Sequence, residues 1–204
     1  TLNMRDTARF YLRNAFSPFS IVDSAKTVID SVTYTGTVTF SNAQTGIYYV
    51  VIKGRNMLET WSKSGGEVYT RGSPFTYNFT TAITQAYNSN IKLVGSKYCN
   101  YNGDLDQDGI IDVSDVSLVD NASFNGLTGY VTEDVTGDYF VDVSDVSIVD
   151  NNSFSGVQVA APPGAVNISE QSDSQNTSGN NSVSKNPSEG KNSDTGKKEI
   201  ITRE

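Results

Sequence analysis

Asp104, Asp106, Asp108, Asp112 and Asp115 stand at spacings that one divalent cation could use. Counted from Asp104, they fall at positions 1, 3, 5, 9 and 12 of a twelve-residue loop. Gly109 takes position 6, where the chain turns sharply, and Ile110 at position 7 offers its main-chain carbonyl. A second set follows thirty residues later: Asp134, Thr136, Asp138, Asp142 and Asp145, with Phe140 in the carbonyl role. Calcium is a hard cation that takes six to eight oxygens, and a tight loop supplies them at this schedule. Carboxylates so closely spaced repel one another unless a cation neutralises them. The expected cofactor is therefore Ca2+ at two sites. The second is expected to be weaker. Thr136 puts a neutral hydroxyl where the first loop has a carboxylate. Tyr139 replaces the glycine at position 6, where a positive φ strains a bulky side chain.

The loops belong to a longer repeat. Residues 108–124 and 138–154 are identical at twelve of seventeen positions with a constant offset of thirty, which implies two copies of one supersecondary element. After each loop the pattern predicts a short helix. Val113, Val116 and Val119 recur every third residue beside Leu118, and Val143, Val146 and Val149 repeat this beside Ile148. Ser114 and Asp115 can satisfy free N–H groups at the first helix start. The helices are expected to end near 121–123 and 151–153, and to pack on each other through Val116, Val119, Val146, Val149, Phe124 and Phe154. No helical pattern precedes either loop.

Residues 1–100 read as β-structure. Ala8, Phe10 and Leu12 alternate with Arg9 and Arg13, and Val38 and Phe40 alternate with Thr37 and Thr39. The run 46–53 is apolar on both faces, as expected of a central strand covered on both sides. Further short runs lie near 58–61, 68–70, 75–79 and 91–98, separated by turns at 64–66, 72–74 and 88–90. Many short strands at this spacing predict a mainly β fold with an antiparallel β-sandwich, immunoglobulin-like or transthyretin-like, followed by a small α pair of loop–helix units. The expected organisation is a β-sandwich over 1–100, the tandem calcium-binding domain over 101–160 and a low-complexity linker or tail over 161–204. The tail is rich in Ser, Asn, Gly, Lys and Glu and cannot bury enough apolar surface to offset its backbone entropy.

Charge and composition narrow the function. The net charge is -8, but residues 101–160 alone carry -12, with eleven Asp, one Glu and no Lys or Arg, which leaves +4 for the rest. This argues against nucleic acid as a partner. The chain contains no histidine, which removes the commonest general base and zinc ligand. No apolar run is long enough to span a membrane. Cys99, the only cysteine, forms no intrachain disulfide and is expected in the core. An enzyme is not expected. Arg55, Asn56, Glu59, Thr60 and Trp61 form a polar-aromatic cluster with two readings: a sugar-stacking patch on Trp61, or a packed Trp61 beside an Arg55–Glu59 ion pair. Asn78-Phe79-Thr80, Asn121-Ala122-Ser123 and Asn167-Ile168-Ser169 match the glycosylation pattern, as chance allows in an Asn- and Ser-rich chain.

Residues 103–158 resemble a dockerin, the paired loop–helix module with EF-hand-type calcium loops that binds cohesin domains. In that family the residues at loop positions 10 and 11 often contact cohesin, and here they are Val113 and Ser114, and Val143 and Ser144. Residues 46–62, with Gly54-Arg55-Asn56, are similar to a segment of large modular surface proteins of bacteria, often exported by the type IX route. There a small β-domain directly precedes a dockerin-like pair. The resemblance implies a secreted or cell-surface location. The expected function is an extracellular, calcium-binding structural or assembly module that self-associates into a surface filament or matrix. The alternatives are a docking appendage for a cohesin-like partner and a carbohydrate-binding module.

Overall fold

Alternation at Ala8, Phe10 and Leu12 produces strand β1 (Asp6–Asn14), which pairs antiparallel with β2 (Ile21–Ile29) on one side and β3 (Gly46–Lys53) on the other. The computed structural model describes residues 5–165. Two short strands, β4 (Thr60–Trp61) and β5 (Glu67–Tyr69), share the free edge of β3, so that Val51 faces Trp61 and Ile47 faces Val68. The turn between them needs glycine at 66, whose φ is +72° and where a Cβ would meet the Tyr48 carbonyl oxygen at 3.0 Å. Strands β6 (Lys92–Val94) and β7 (Lys97–Cys99) form a separate hairpin. Helices α1 (Val113–Phe124) and α2 (Val143–Phe154) follow. The fold is mainly β, with antiparallel sheets and two helices. Among the described residues no helix is long and apolar enough to cross a membrane.

Strand β3 is covered on both faces, as its sequence requires. Tyr48 and Val50 join Leu12, Ala43 and Tyr69 on one side, while Tyr49 and Val51 join Phe19 and Trp61 on the other. Fully burying an aliphatic side chain contributes about 1.5–3 kcal/mol, so these faces hold the sheet in register. The runs at 38–40 and 75–79 make no strand. Phe40, Phe75 and Phe79 still pack against the first of these faces, and Phe40 and Phe75 each sit 6.3 Å from the Tyr69 ring. Alternation there marks an apolar cover held by side chains rather than by a ladder. Asp23 anchors that cover, accepting from the Asn42 and Ala43 amides at 2.6 and 3.0 Å.

Strand β1 departs from its simple alternation at Arg13, which is buried rather than outward-facing. Its guanidinium lies 4.8 Å from the Trp61 ring and 3.8 Å from a Glu59 oxygen, and Trp61 donates to that same oxygen at 2.8 Å. Glu59 therefore pairs with Arg13, not with Arg55 as expected. A buried charge requires a partner, and β1 has both faces covered. Cys99 is only half-buried, in β7. The expected tail lies outside the described residues from 166 onward, with Asn167.

Candidate metal centre

Both helices are nucleated by their own loops. Asp112 caps α1 by accepting from the Ser114 amide at 2.7 Å, and Asp115 reaches back to the Asp112 amide at 3.0 Å. Asp142 and Asp145 repeat this capping box on α2 at 2.7 and 3.0 Å. The cap is thus the aspartate at loop position 9, one residue before the helix, and not Ser114. At the other end Gly126 and Gly156, both with φ of +63°, return the chain. Leu127 then donates to Ala122 and Val157 to Asn152, closing a Schellman turn on each helix.

The two units exchange their ends. Ile111, at position 8 of the first loop, donates to Val157 beyond α2 at 2.9 Å. Val141, its counterpart, donates to Leu127 beyond α1 at the same distance. Beneath these bridges lies a shared core of Leu105, Ile111, Val119, Val135, Val141 and Val149. Val116 and Val146 pack at its edge. Phe124 and Phe154 do not join it, being 90% and 93% exposed. The buried face runs through Val116, Val119 and Ala122, and a residue two further on is turned about 200° away from it.

The first loop gathers three carboxylates. Asp104, Asp106 and Asp108 each place an oxygen within 4.8 Å of the others, an arrangement that could hold a metal ion. Asp106 and Asp108 are exposed, whereas Asp104 is 1% exposed and its Oδ2 has no hydrogen-bond partner. Its Oδ1 receives only a long bond from the Gly109 amide, at 3.4 Å. Burial, with repulsion from Asp115 and Asp108, raises the Asp104 pKa to about 7. An orphaned, buried carboxylate oxygen facing two further carboxylates fits a hard divalent cation.

Asp112 and Asp115 lie outside that cluster. Asp115 has Oδ2 on the Asp112 amide and Oδ1 on the amides of Leu105 and Asp106, at 2.7 and 3.3 Å. It staples the two ends of the loop together. Burial raises its pKa even against these three bonds. Asp145 does the same in the second loop, with the Val135 and Thr136 amides at 2.7 and 2.8 Å. Ile110 and Phe140 occupy mirrored places, bridged to Gln158 and Thr128.

The second loop differs at its first residue. Both oxygens of Asp134 are already engaged: Oδ1 by the Gly137 amide at 2.7 Å and the Thr136 hydroxyl at 3.3 Å, and Oδ2 by the Tyr139 amide at 2.9 Å. Tyr139 does adopt a positive φ, +74°, as position 6 demands. Each loop has a second such position, Gln107 at +63° and Gly137 at +77°, so each spends one glycine and one strained residue. Asp138 and Asp142 are exposed in this loop.

Asn56 ties the β region to both loops. Its carbonyl accepts from Gly103, just ahead of the first loop, at 2.7 Å. Its side-chain amide donates to the carbonyls of Thr132 and Asp134 at 2.9 and 3.0 Å, at the start of the second. Arg55 donates to the same Asp134 carbonyl at 3.1 Å, pairs with Asp6 at 3.3 Å and lies over the Tyr130 ring. The sequence marks this tripeptide without revealing its role, because its partners lie some 76 residues away. Replacing Asn56 with Ala leaves the Thr132 carbonyl without this donor and the Asp134 carbonyl with Arg55 alone. The expected result is a loss of about 1–3 kcal/mol in a urea melt.

Compared with protein-family models, with curated proteins and with solved structures, the chain matches none.

Proposed function

We propose that this chain is a non-catalytic, calcium-stabilised module of the bacterial cell exterior, whose work is structural: assembly with copies of itself into a surface filament or matrix. The observation that carries the calcium reading is Asp104 Oδ2, buried without a partner between two further carboxylates. In the first loop Asp104, Asp106 and Asp108 would hold the ion, with the Ile110 carbonyl, Asp112 and Asp115 completing the schedule. In the second, Asp134, Thr136, Asp138, the Phe140 carbonyl, Asp142 and Asp145 would do so. The saturated Asp134 supports weaker binding there. Calcium supplies charge neutralisation and loop rigidity, and the absence of histidine fits a module without acid–base work. Extracellular calcium is plentiful enough to fill modest sites, which supports an exported location.

For the fold, we read the sheet with its cover of Phe40, Phe75 and Phe79 as a small sandwich of immunoglobulin-like or transthyretin-like kind, and the loops with α1 and α2 as a dockerin-like pair. Assembly is supported by the exposed Phe124 and Phe154, the most exposed large apolar side chains of a segment whose charged residues are all acids. The second reading, a docking appendage for a cohesin-like partner, is favoured by one observation. Val113 and Val143, at loop position 10, are 71% and 72% exposed and equivalent in both repeats. A sugar platform on Trp61 has no such support, because that ring is 1% exposed.

Size-exclusion chromatography separates the first two readings. With calcium and no added partner, the chain is expected to elute as a polymer, and with chelator as a monomer. Replacing both Phe124 and Phe154 with Ser is expected to keep it monomeric in calcium. A monomer under every condition removes the assembly reading and leaves the docking one.

A further inference from the structure

Beyond the packed cluster of Tyr11, Val51 and Trp61, the same face of the sheet carries a row of like charges. In register, Arg9 on β1 stands opposite Lys26 on β2 and opposite Lys53 on β3. Like charges directly opposite each other in a sheet are destabilising, so this row costs stability in the isolated fold. Among the described residues none of the three has a carboxylate within ion-pair distance. Together with Arg55, Thr7, Tyr11 and Gly54 they line a cleft of about 160 Å³. Four cationic side chains thus line it, of which Arg55 is paired with Asp6 and the other three have no ion pair among the described residues.

Lys53 gives this cleft its depth. The residue is 8% exposed, so its stem is covered, while its ammonium tip stays accessible and makes no hydrogen bond among the described residues. Its field also acts to lower the Asp104 pKa. Three cations in cross-strand register without an ion-paired carboxylate repel one another, and one bound anion would relieve that repulsion. Arginine adds a planar fork that matches two oxygens of one ligand.

We propose that the cleft between Arg9, Lys26, Lys53 and Arg55 is a binding site for a small oxyanion, either free or borne by an acidic saccharide. Its volume admits one sulfate, phosphate or uronate unit and not a folded partner. The site uses none of the loop carboxylates, although Arg55 also donates to the Asp134 carbonyl, and it does not rest on the assembly reading.

The test is a thermal melt of the full chain in constant calcium, with sodium sulfate titrated against sodium chloride of matched ionic strength. Sulfate is expected to raise the melting temperature saturably by a few degrees, as a ligand of the folded state does. Lys53→Met is expected to melt higher than the parent without sulfate and to lose the sulfate shift. The exposed Lys26→Gln should keep the fold and weaken sulfate several-fold, which keeps the test decisive if Lys53→Met does not fold. A shift no larger than chloride gives, or one retained in full by both variants, overturns the proposal. Glucuronate and glucose, titrated in the same way, identify the source. Glucuronate tighter than sulfate assigns an acidic saccharide, equal affinities assign the free anion, and a response to neutral glucose as large as to glucuronate refutes oxyanion recognition.

Discussion

Removing calcium with a chelator is expected to lower the melting temperature of this chain by about 10 °C at neutral pH. The figure follows from linkage: a ligand at about a thousand times its dissociation constant stabilises by about 4 kcal/mol, worth about 2–4 °C per kcal/mol in a fold of this size. Four aspartates, Asp104, Asp115, Asp134 and Asp145, are buried at 1% exposure or less, and three of them have their oxygens met by loop amides. Asp104 keeps one oxygen, Oδ2, without a partner, and it dominates the expected response. The metal-free fold holds its carboxyl at a pKa near 7, above the ordinary value, so the folded state binds a proton that the unfolded state releases. The metal-free protein should therefore gain stability as pH falls through 7, and lose it as pH rises. Calcium must displace that proton, so its affinity should drop about tenfold per pH unit below 7. The chelator-induced shift is then large at pH 8 and small at pH 6, which differential scanning calorimetry at the two pH values measures. Asp104→Asn should abolish the tighter of two calorimetric binding events and leave the weaker. If chelation leaves the melting temperature unchanged at pH 8, the metal reading is wrong.

Replacing Asp115 with Ala is expected to cost about 3–5 kcal/mol, more than the same change at either exposed neighbour, Asp106 or Asp108. Hydrogen bonds to a charged group are worth about 1.5–3 kcal/mol each, and Asp115 accepts from three amides. It closes the loop, completes the capping box of α1 and places Leu105 in the shared core. Asp145→Ala should cost a similar amount through its own three amides. Both losses should persist in chelator, because they are losses of protein hydrogen bonds. A urea melt of each variant with and without calcium measures this. If the cost of Asp115→Ala vanishes in chelator, the residue acts only as a metal ligand and the stapling role is refuted.

These expectations separate two kinds of residue. The shape of the loops was legible in the amino-acid sequence because it is local. The gathered carboxylates of Asp104, Asp106 and Asp108, the turn and the capping box of Asp112 and Asp115 all lie within twelve residues, where spacing alone sets geometry. The helices, and the absence of helices before the loops, follow from the same short range. The central strand at 46–53 was equally plain, since a run apolar on both faces admits few alternatives.

What spacing could not determine was which surfaces meet. Phe124 and Phe154 look like core residues, and only the helix phase against a core of Leu105, Ile111, Val135 and Val141 turns them outward. Arg13 and Glu59 look like surface charges until Trp61 closes over them. Asn56 acquires its role only when the fold brings the segments near Gly103 and Asp134 to it, and the cationic row exists only once β1, β2 and β3 are in register. Hydrogen-bond spacing within one loop is written into the chain. Partners dozens of residues apart are chosen by the packing of all faces at once, and no local pattern encodes that choice.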